Sequence, residues 1–327
     1  MNIDAVRALE PAFWRAPSAH NTQPWTLTYH HDHVDVGWDP ARTLPESDSG
    51  ARDLMLALGA FVECCLIACA DAGLAIDYEP DPGAQRIGRL VAAGLPYETP
   101  YTIEDLFRRA SHRGAYRPGP LDATLRSRIT GLATAGHAAL RYLPADTANP
   151  LARQADRHMF DNPSVVGELR AWLRLSAAHP DYRHDGLTAT ALGLTRVEAN
   201  GLRLALAGYP ALRRLGLPRL LAAQSGFDSA GELFVLVANP GEPIEAGRTL
   251  LRIWLELARR GHATHPLSQI IDSLTTRGVL ADALGIADPA TLLHIARVGR
   301  PAATPAPSYR RRTESSTRNK VRLTFGS

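Results

Sequence analysis

Apolar and polar positions alternate along the chain in two related passages. Residues 3–15 carry Ile3, Val6, Leu9 and Phe13 at helical spacing and predict a helix. Pro17 ends that pattern, because its ring fixes φ and disfavours a helical residue before it. Residues 26–38 predict a hairpin, with Tyr29, His31 and His33 on one strand face and Val34, Val36 and Trp38 on the other. Residues 50–73 are apolar on most sides, from Leu54 through Cys69, and predict a buried central helix closed by Gly73. Strands with Pro and Gly turns follow over 75–103. A helix opens at 104, a helix and a strand fill 121–143, and 151–177 reads as helical. A buried strand is predicted at 232–238, a second central helix at 247–260 closed by Gly261, and a last strand at 292–298. Residues 178–230 are poor in strand signals and rich in Gly, Pro and Arg, the pattern of a lid.

The two passages echo one another. Gly59 and Gly73 bracket the first central helix at the same separation as Gly247 and Gly261 bracket the second, and Ala70 and Ala258 fall at matching places. Ala133-Thr134-Ala135-Gly136-His137 is a faint echo of Pro17-Ser18-Ala19-His20-Asn21, without the Gln-Pro-Trp that follows the latter. A duplicated unit fused in one chain gives a monomer shaped like a homodimer.

Composition narrows the function. The 327 residues are 45% hydrophobic and 21% charged, with a formal net charge of +3. That balance gives no broad basic surface for nucleic acid and suits one local phosphate site. Cys64, Cys65 and Cys69 share one helical segment, which is no disulfide framework. No basic-then-apolar leader opens the sequence and no long apolar run lacks charge, so the expectation is a soluble cytoplasmic protein with no membrane partner. The run His30-His31-Asp32-His33 has no cysteine or carboxylate at a ligand spacing that completes a metal site, and reads as polar turn residues. No Gly-x-Gly-x-x-Gly fingerprint, Walker loop or motif-supported Ser-His-Asp order is present.

Candidate chemistry concentrates in a few segments. In Ala16–Trp25, Ser18, Asn21 and Gln23 offer hydroxyl and amide groups between a helix and a strand. Such a run suits edge-on contact with a flat heterocycle, and equally a polar connection beside a buried Trp. Arg109 and Arg113 flank Ser111, and their planar forks fit a dianionic phosphate; solvated surface arginines are the alternative. His112 is expected to be exposed. Arg310 and Arg311 follow a Pro-rich passage, and Pro266-Leu267-Ser268-Gln269 forms a turn after the second central helix.

The stretch Arg15-Ala-Pro-Ser-Ala-His-Asn-Thr-Gln-Pro-Trp25 resembles the flavin-contacting loop of the nitroreductase family, and in particular its fused, two-halved, Acg-like branch. The resemblance implies an α+β fold: two related units, each a mostly antiparallel sheet wrapped by helices, with the central apolar helices packed at a pseudo-dimer interface. The halves would span 1–103 and 104–312, with 313–327 a loose tail. FMN would be the cofactor. Pro17, Ser18, Asn21 and Gln23 would meet its ring, and Arg109, Ser111 and Arg113 its phosphate, with Arg310 and Arg311 as a second basic contact. The segment Pro266-Leu267-Ser268-Gln269 would approach flavin N5 and O4 with its backbone N–H groups, of which Pro266 has none. In the family an Arg-x-Ser-x-Arg/Lys segment lies about two dozen residues before the ring loop. Here it precedes only the decayed echo, and the intact loop has too little chain before it for another. One composite site per chain is therefore implied, with Ala110 departing from a position often basic in relatives. The partners implied are NAD(P)H and a small-molecule acceptor: a nitroaromatic, a quinone or an enone-like metabolite. Two other activities fit the resemblance, an FMN-sequestering protein with a closed lid and little turnover, and flavin-dependent desaturation or flavin fragmentation.

Overall fold

The computed structural model describes residues 1–223, 226, 230–306 and 308–311. The predicted tail 313–327, Arg312 and part of the predicted lid lie outside the described residues.

The Asn2 side chain accepts from the Ala5 amide and so caps α1 (Ile3–Ala8). Helix α2 (Glu10–Phe13) follows, and the chain then runs through an irregular passage to β1 (Trp25–Tyr29) and β2 (His33–Trp38). Helix α3 (Arg52–Asp71) leads to β3 (Ile76–Gly83) and β4 (Arg86–Ala92). These strands form one antiparallel sheet in the order β1-β2-β4-β3. Helix α4 (Ile103–Arg108) starts on a capping box between Thr102 and Asp105.

The second passage repeats the plan. Helix α5 (Ala123–Ala135) precedes β5 (Ala138–Pro144). A helical insertion then holds α6 (Ala148–Asp161), α7 (Pro163–Trp172), the two-residue strands β6 (Leu173–Arg174) and β7 (Leu187–Thr188), α8 (Arg196–Ala207), α9 (Tyr209–Leu212) and α10 (Leu217–Ala223). Strand β8 (Glu232–Ala238), α11 (Pro243–Arg259), β9 (Ala263–Pro266), α12 (Gln269–Asp272), α13 (Leu274–Leu284) and β10 (Leu292–Gly299) complete it. The second sheet is also antiparallel, in the order β5-β8-β10-β9. Both sheets therefore run first, second, fourth, third, and both place their long helix between the second and third strands. Strand β10 is buried along its whole length, which is why its apolar residues do not alternate; His294 and Arg297 are buried with them.

Helices α3 and α11 join the two sheets, and they cross at glycines. A Cβ on Gly59 would lie 2.1 Å from the Ile244 carbonyl oxygen, and one on Gly247 would lie 2.2 Å from that of Leu56. Only hydrogen fits at either position. Beyond the crossing, the fully buried Glu63 carboxylate accepts from Arg248 Nε and from the Tyr97 hydroxyl, each at 2.9 Å. Gly73 and Gly261, with φ of 73° and 72°, end the two helices in the left-handed region. Helix α3 is long and apolar enough to cross a membrane, but it is mostly buried between the sheets. Burial pushes its Cys64 and Cys69 thiols up to about 12. They are packing groups.

Three expectations change. The 151–177 helix is two helices, broken where Asn162 caps the first turn of α7 with Pro163 at its start. The expected lid is helical over 196–223: α8 opens on a capping box between Thr195 and Glu198, and its buried Leu206 packs with Phe160, Leu173 and Tyr209 in a small separate core. Arginines and glycines on the outer faces masked that periodicity. The echo at Ala133–His137 is no loop, since Ala133–Ala135 complete α5 and only Gly136 and His137 link it to β5.

Candidate active site

The passage between α2 and β1 is strained. Pro17 releases the chain from α2, a 3₁₀ turn covers Ala19–Asn21, and His20, Asn21 and Gln23 hold φ of 48°, 55° and 52°. Three non-glycine residues in the left-handed region within four positions store backbone strain, which persists only where surrounding contacts fix it. Those contacts are present. The Ser18 hydroxyl accepts from the Gln23 amide at 2.9 Å, and the Asn21 side-chain amide donates to the carbonyls of Gly186 (3.2 Å) and Tyr309 (3.1 Å).

This passage forms one wall of a cavity of about 430 Å³, the size of a small-ligand or cofactor site. Pro17, Ser18, Ala19, His20 and Asn21 line it from the first passage. Arg109, Ser111 and Arg113 line it from the chain after α4. Ser111 makes a parallel bridge with Thr264, and the His112 amide donates to the Thr264 carbonyl at 2.9 Å. The basic segment thus rides along β9, whose continuation supplies Pro266, Ser268 and Gln269 to the same cavity. Ser308, Tyr309 and Arg310 close one side. Apolar side chains of α3, α6, α7 and α11, including Leu56, Phe160, Leu169 and Trp254, make up much of the rest.

At one end Arg15, Arg109 and Arg310 converge, with no carboxylate paired to them among the described residues. Arg109 Nη2 donates to the Arg15 carbonyl at 2.9 Å and Arg310 Nη2 to the same oxygen at 3.4 Å. The buried Nε atoms of Arg15, Arg109 and Arg310 have no hydrogen-bond partner among the described residues. Burial, and then the neighbouring Arg15 charge, push Arg109 down to about 10; burial and the charges of Arg15 and Arg109 push Arg310 well below its ordinary value. The Cys64 thiol is the one acidic group acting on either. Arg113 is also lowered by burial and donates to the Ala191 carbonyl at 3.2 Å. Facing cationic forks with empty donors fit a bound phosphate.

At the other end, Asp48, Asp53, Asp272 and His294 line the wall. Arg52 Nη2 lies 2.7 Å from carboxylate oxygens of both Asp53 and Asp272, and Asp48 accepts from the amides of Asp53 (3.1 Å) and Leu54 (2.9 Å). Burial, with Asp53 beside it, raises Asp48 to about 6. Burial lowers His20 and His294 to about 4, so both are neutral near pH 7.

Four expectations do not hold at side-chain level. Gln23 is fully buried outside the cavity; its Nε2 donates to the His184 carbonyl and its Oε1 accepts from the Arg311 amide, both at 2.9 Å. Arg311 does not line the cavity and donates instead to the Trp25 carbonyl at 2.7 Å. Leu267 is buried in the core under β10, and its amide is taken by the Ile295 carbonyl at 3.0 Å. His112 is buried, with Nε2 3.1 Å from the Ala115 carbonyl. Each sits one or two residues from a cavity-lining neighbour, a distinction of side-chain direction that spacing does not carry. Arg15 and His20 were passed over as site residues. The signal for both was their place inside a segment already singled out.

The sequence has distant relatives among known proteins. Two Mycobacterium tuberculosis proteins, from strains H37Rv and CDC 1551 and both provisionally named NAD(P)H nitroreductase, are 25% identical to the chain over 177 residues. Over that stretch the chain is similar to proteins named as nitroreductases. The match spans 52% of this chain and 52% of each relative, about half their length. No family model matches the chain. The solved structure of the FMN-dependent nitroreductase NfnB from Mycobacterium smegmatis in complex with NADPH aligns with 62% of this chain and 88% of its own, at a TM-score of 0.36 and 17% identity. The FMN- and NADPH-dependent NfnB from sphigopyxis sp. strain HMH aligns with 62% and 92%, at 0.33 and 18%. Those superpositions are loose, and the nitroreductase-like reading rests on sequence similarity and on the residues of the cavity.

Proposed function

We propose that this nitroreductase-like chain is an FMN-dependent oxidoreductase that takes hydride from NAD(P)H and passes it to a small acceptor of the nitroaromatic, quinone or enone class. The observation that carries the reading is the group Arg15, Arg109 and Arg310, whose buried Nε atoms have no partner, and which has no carboxylate paired to it, among the described residues. A protein keeps such a set buried when an anion neutralises it. Bound FMN would supply the redox chemistry, accepting and releasing hydride at its ring. The chain would supply the rest. Arg109, Arg113 and Arg310, with the Ser111 hydroxyl, would hold the phosphate. Pro17, Ser18 and Asn21 would border the ring on one side, and Pro266, Ser268 and Gln269 on the other. The apolar wall of Leu56, Leu169 and Trp254 excludes water. The equal strand orders and the glycine crossing support a duplicated unit acting as a fused pseudo-dimer, with one FMN site between its halves. The Arg109→Ala/Arg113→Ala variant should elute from gel filtration without FMN, and retention at wild-type stoichiometry rejects the phosphate assignment.

A second reading has its own support, because the helical insertion is latched over the cavity. The Gly186 amide donates to the Asn21 carbonyl at 3.2 Å, the Glu168 carboxylate accepts from the amides of Glu46 and Ser47, and the buried Asp185 bridges Arg42 and Arg174. A roof fastened at three places fits an FMN-holding protein with little turnover. Anaerobic mixing of the holo-protein with NADPH separates the two: rapid bleaching of the flavin supports the oxidoreductase, and persistent yellow colour supports sequestration.

A further inference from the structure

We propose that His30, His33 and Asp35 form a site for a divalent transition-metal ion of the zinc class, carried on the β1–β2 turn and separate from the cavity.

The backbone brings the three together. The His30 amide donates to the His33 carbonyl at 2.9 Å, closing a tight turn over His31 and Asp32. Register then fixes the face: His30 lies across the turn from His33, and Asp35 lies two residues further along β2, on the side of His33. The two imidazoles stack with centroids 4.3 Å apart and planes 14° apart. His30 Nε2 lies 3.0 Å from Asp35 Oδ2, and His33 Nε2 lies 3.6 Å from Asp35 Oδ1. One ligand atom from each residue lies within 4.8 Å of the others. Tetrahedral zinc bonds of about 2.0–2.1 Å put neighbouring donor atoms roughly 3.3 Å apart. The atoms are close enough for that, but an imidazole lone pair lies in its ring plane, so one of the two stacked rings must swing out of the stack for both to meet a single ion.

A neighbouring carboxylate prepares one of the imidazoles. Asp32 Oδ1 lies 2.7 Å from His33 Nδ1. That bond favours the His33 tautomer whose proton is on Nδ1 and whose Nε2 lone pair faces Asp35, the carboxylate–histidine arrangement found around metal ions.

Charge around the site is compatible with a cation. Arg86 and Arg89 reach Asp35 at 3.5 and 3.3 Å, but both also pair with Asp81, at 2.8 and 2.7 Å. The His31 ring faces Asp32 at 3.5 Å. Side-chain exposures of 39% for His30, 22% for His33 and 19% for Asp35 leave room for water as a further ligand. Two imidazoles and one carboxylate suit zinc, nickel or copper, and are a poor match for magnesium or calcium, which take oxygen donors. None of the three residues lines the large cavity. The site therefore stands whether or not the cavity holds a flavin.

The test is a zinc chloride titration of the untagged, metal-stripped full chain in competition with a chromophoric chelator. One equivalent should bind, and a large excess of magnesium should not displace it. Cobalt in place of zinc should give the visible absorption bands of a four-coordinate ion. His30→Gln and His33→Gln should each weaken binding by at least about tenfold, and Asp32→Asn by about tenfold with the stoichiometry kept. Circular dichroism should be unchanged, since the turn is at the surface. Absence of zinc binding in the wild-type chain overturns the proposal, as does unchanged affinity in the His30→Gln/His33→Gln double variant.

Discussion

Replacing Arg109 by methionine should move stability in opposite directions with and without FMN. In the ligand-free chain, Arg109 and Arg310 reach the same Arg15 carbonyl from 2.9 and 3.4 Å, and the Arg15 charge acts on both. Their guanidinium nitrogens are therefore about 6 Å apart at most, and two unit charges at that distance repel by roughly 3 kcal/mol at an effective dielectric of 20. Arg109 gives one charge-assisted hydrogen bond in return, worth about 1.5–3 kcal/mol. Methionine keeps much of the packing against Trp254, whose ring lies 5.6 Å from the guanidinium carbon. The ligand-free variant should thus be at least as stable as the parent, by about 0–1.5 kcal/mol. Bound phosphate loses a charge-assisted bond worth about 1.5–3 kcal/mol, so FMN affinity should fall roughly 10- to 150-fold. Urea unfolding of flavin-stripped protein, with and without added FMN, reads both signs in one experiment. Ligand-free Arg109→Met that is destabilised by about 1 kcal/mol or more would show the guanidinium already satisfied by the protein, and the anion argument would fail.

Gly247→Ala should cost about 3 kcal/mol or more, because its methyl would meet the Leu56 carbonyl at 2.2 Å with backbone on both sides; Gly261→Ala, with open space around it and φ of 72°, should cost only about 1–2 kcal/mol, and thermal melts compare them directly. His294 titrates near 4 in the folded chain against 6.5 unfolded, so the unfolded state takes up its proton first as pH falls and stability is lost between about 6.5 and 4, by roughly 3 kcal/mol. His294→Leu should flatten that acid limb relative to the parent, and equal slopes in the two proteins would show that His294 does not carry it. Asp185→Asn should loosen the roof, since it weakens the buried bridges to Arg42 and Arg174; limited proteolysis within 178–223 should speed up, and flavin bleaching by NADPH should speed up if roof opening limits it.

Much of this was legible because it depends on local rules. Gly73 and Gly261 foretold the two helix ends, where φ is positive, but Gly59 and Gly247 do not bracket the helices: they lie inside α3 and α11, at a crossing that excludes a methyl group and that spacing alone did not announce. The apolar run at 232–238 and the Arg-x-Ser-x-Arg spacing were legible for the same reason. What stayed hidden depends on register and side-chain direction. Leu267 and Ser268 are neighbours, yet one enters the core beneath β10 and the other faces the cavity. His31 and His33 share strand parity in the sequence, but the tight turn ends β1 at Tyr29 and brings His30 against His33 instead. The same register supplies Asp35, the carboxylate whose absence from the expected spacing made a metal site look incomplete.

The asymmetry between the two passages follows from chain length at one connection. In the first, the passage from Trp14 to Pro24 separates α2 from β1, long enough to hold a strained turn out over the cavity. In the second, α5 hands over to β5 through Gly136 and His137 alone, and a Cβ on Gly136 would already lie 2.0 Å from the Thr249 hydroxyl of α11. A link of that length must pass directly against the central helix. It has no backbone left over to present hydroxyl and amide groups to a ligand. The two sheets thus carry unequal walls, and the arginines of the cavity face the longer of the two connections. Lengthening the α5–β5 link with the residues of the first loop would not recreate that wall, because Thr249 and the α11 surface behind it pack against the short link. A second cavity requires the central helix to change as well as the loop.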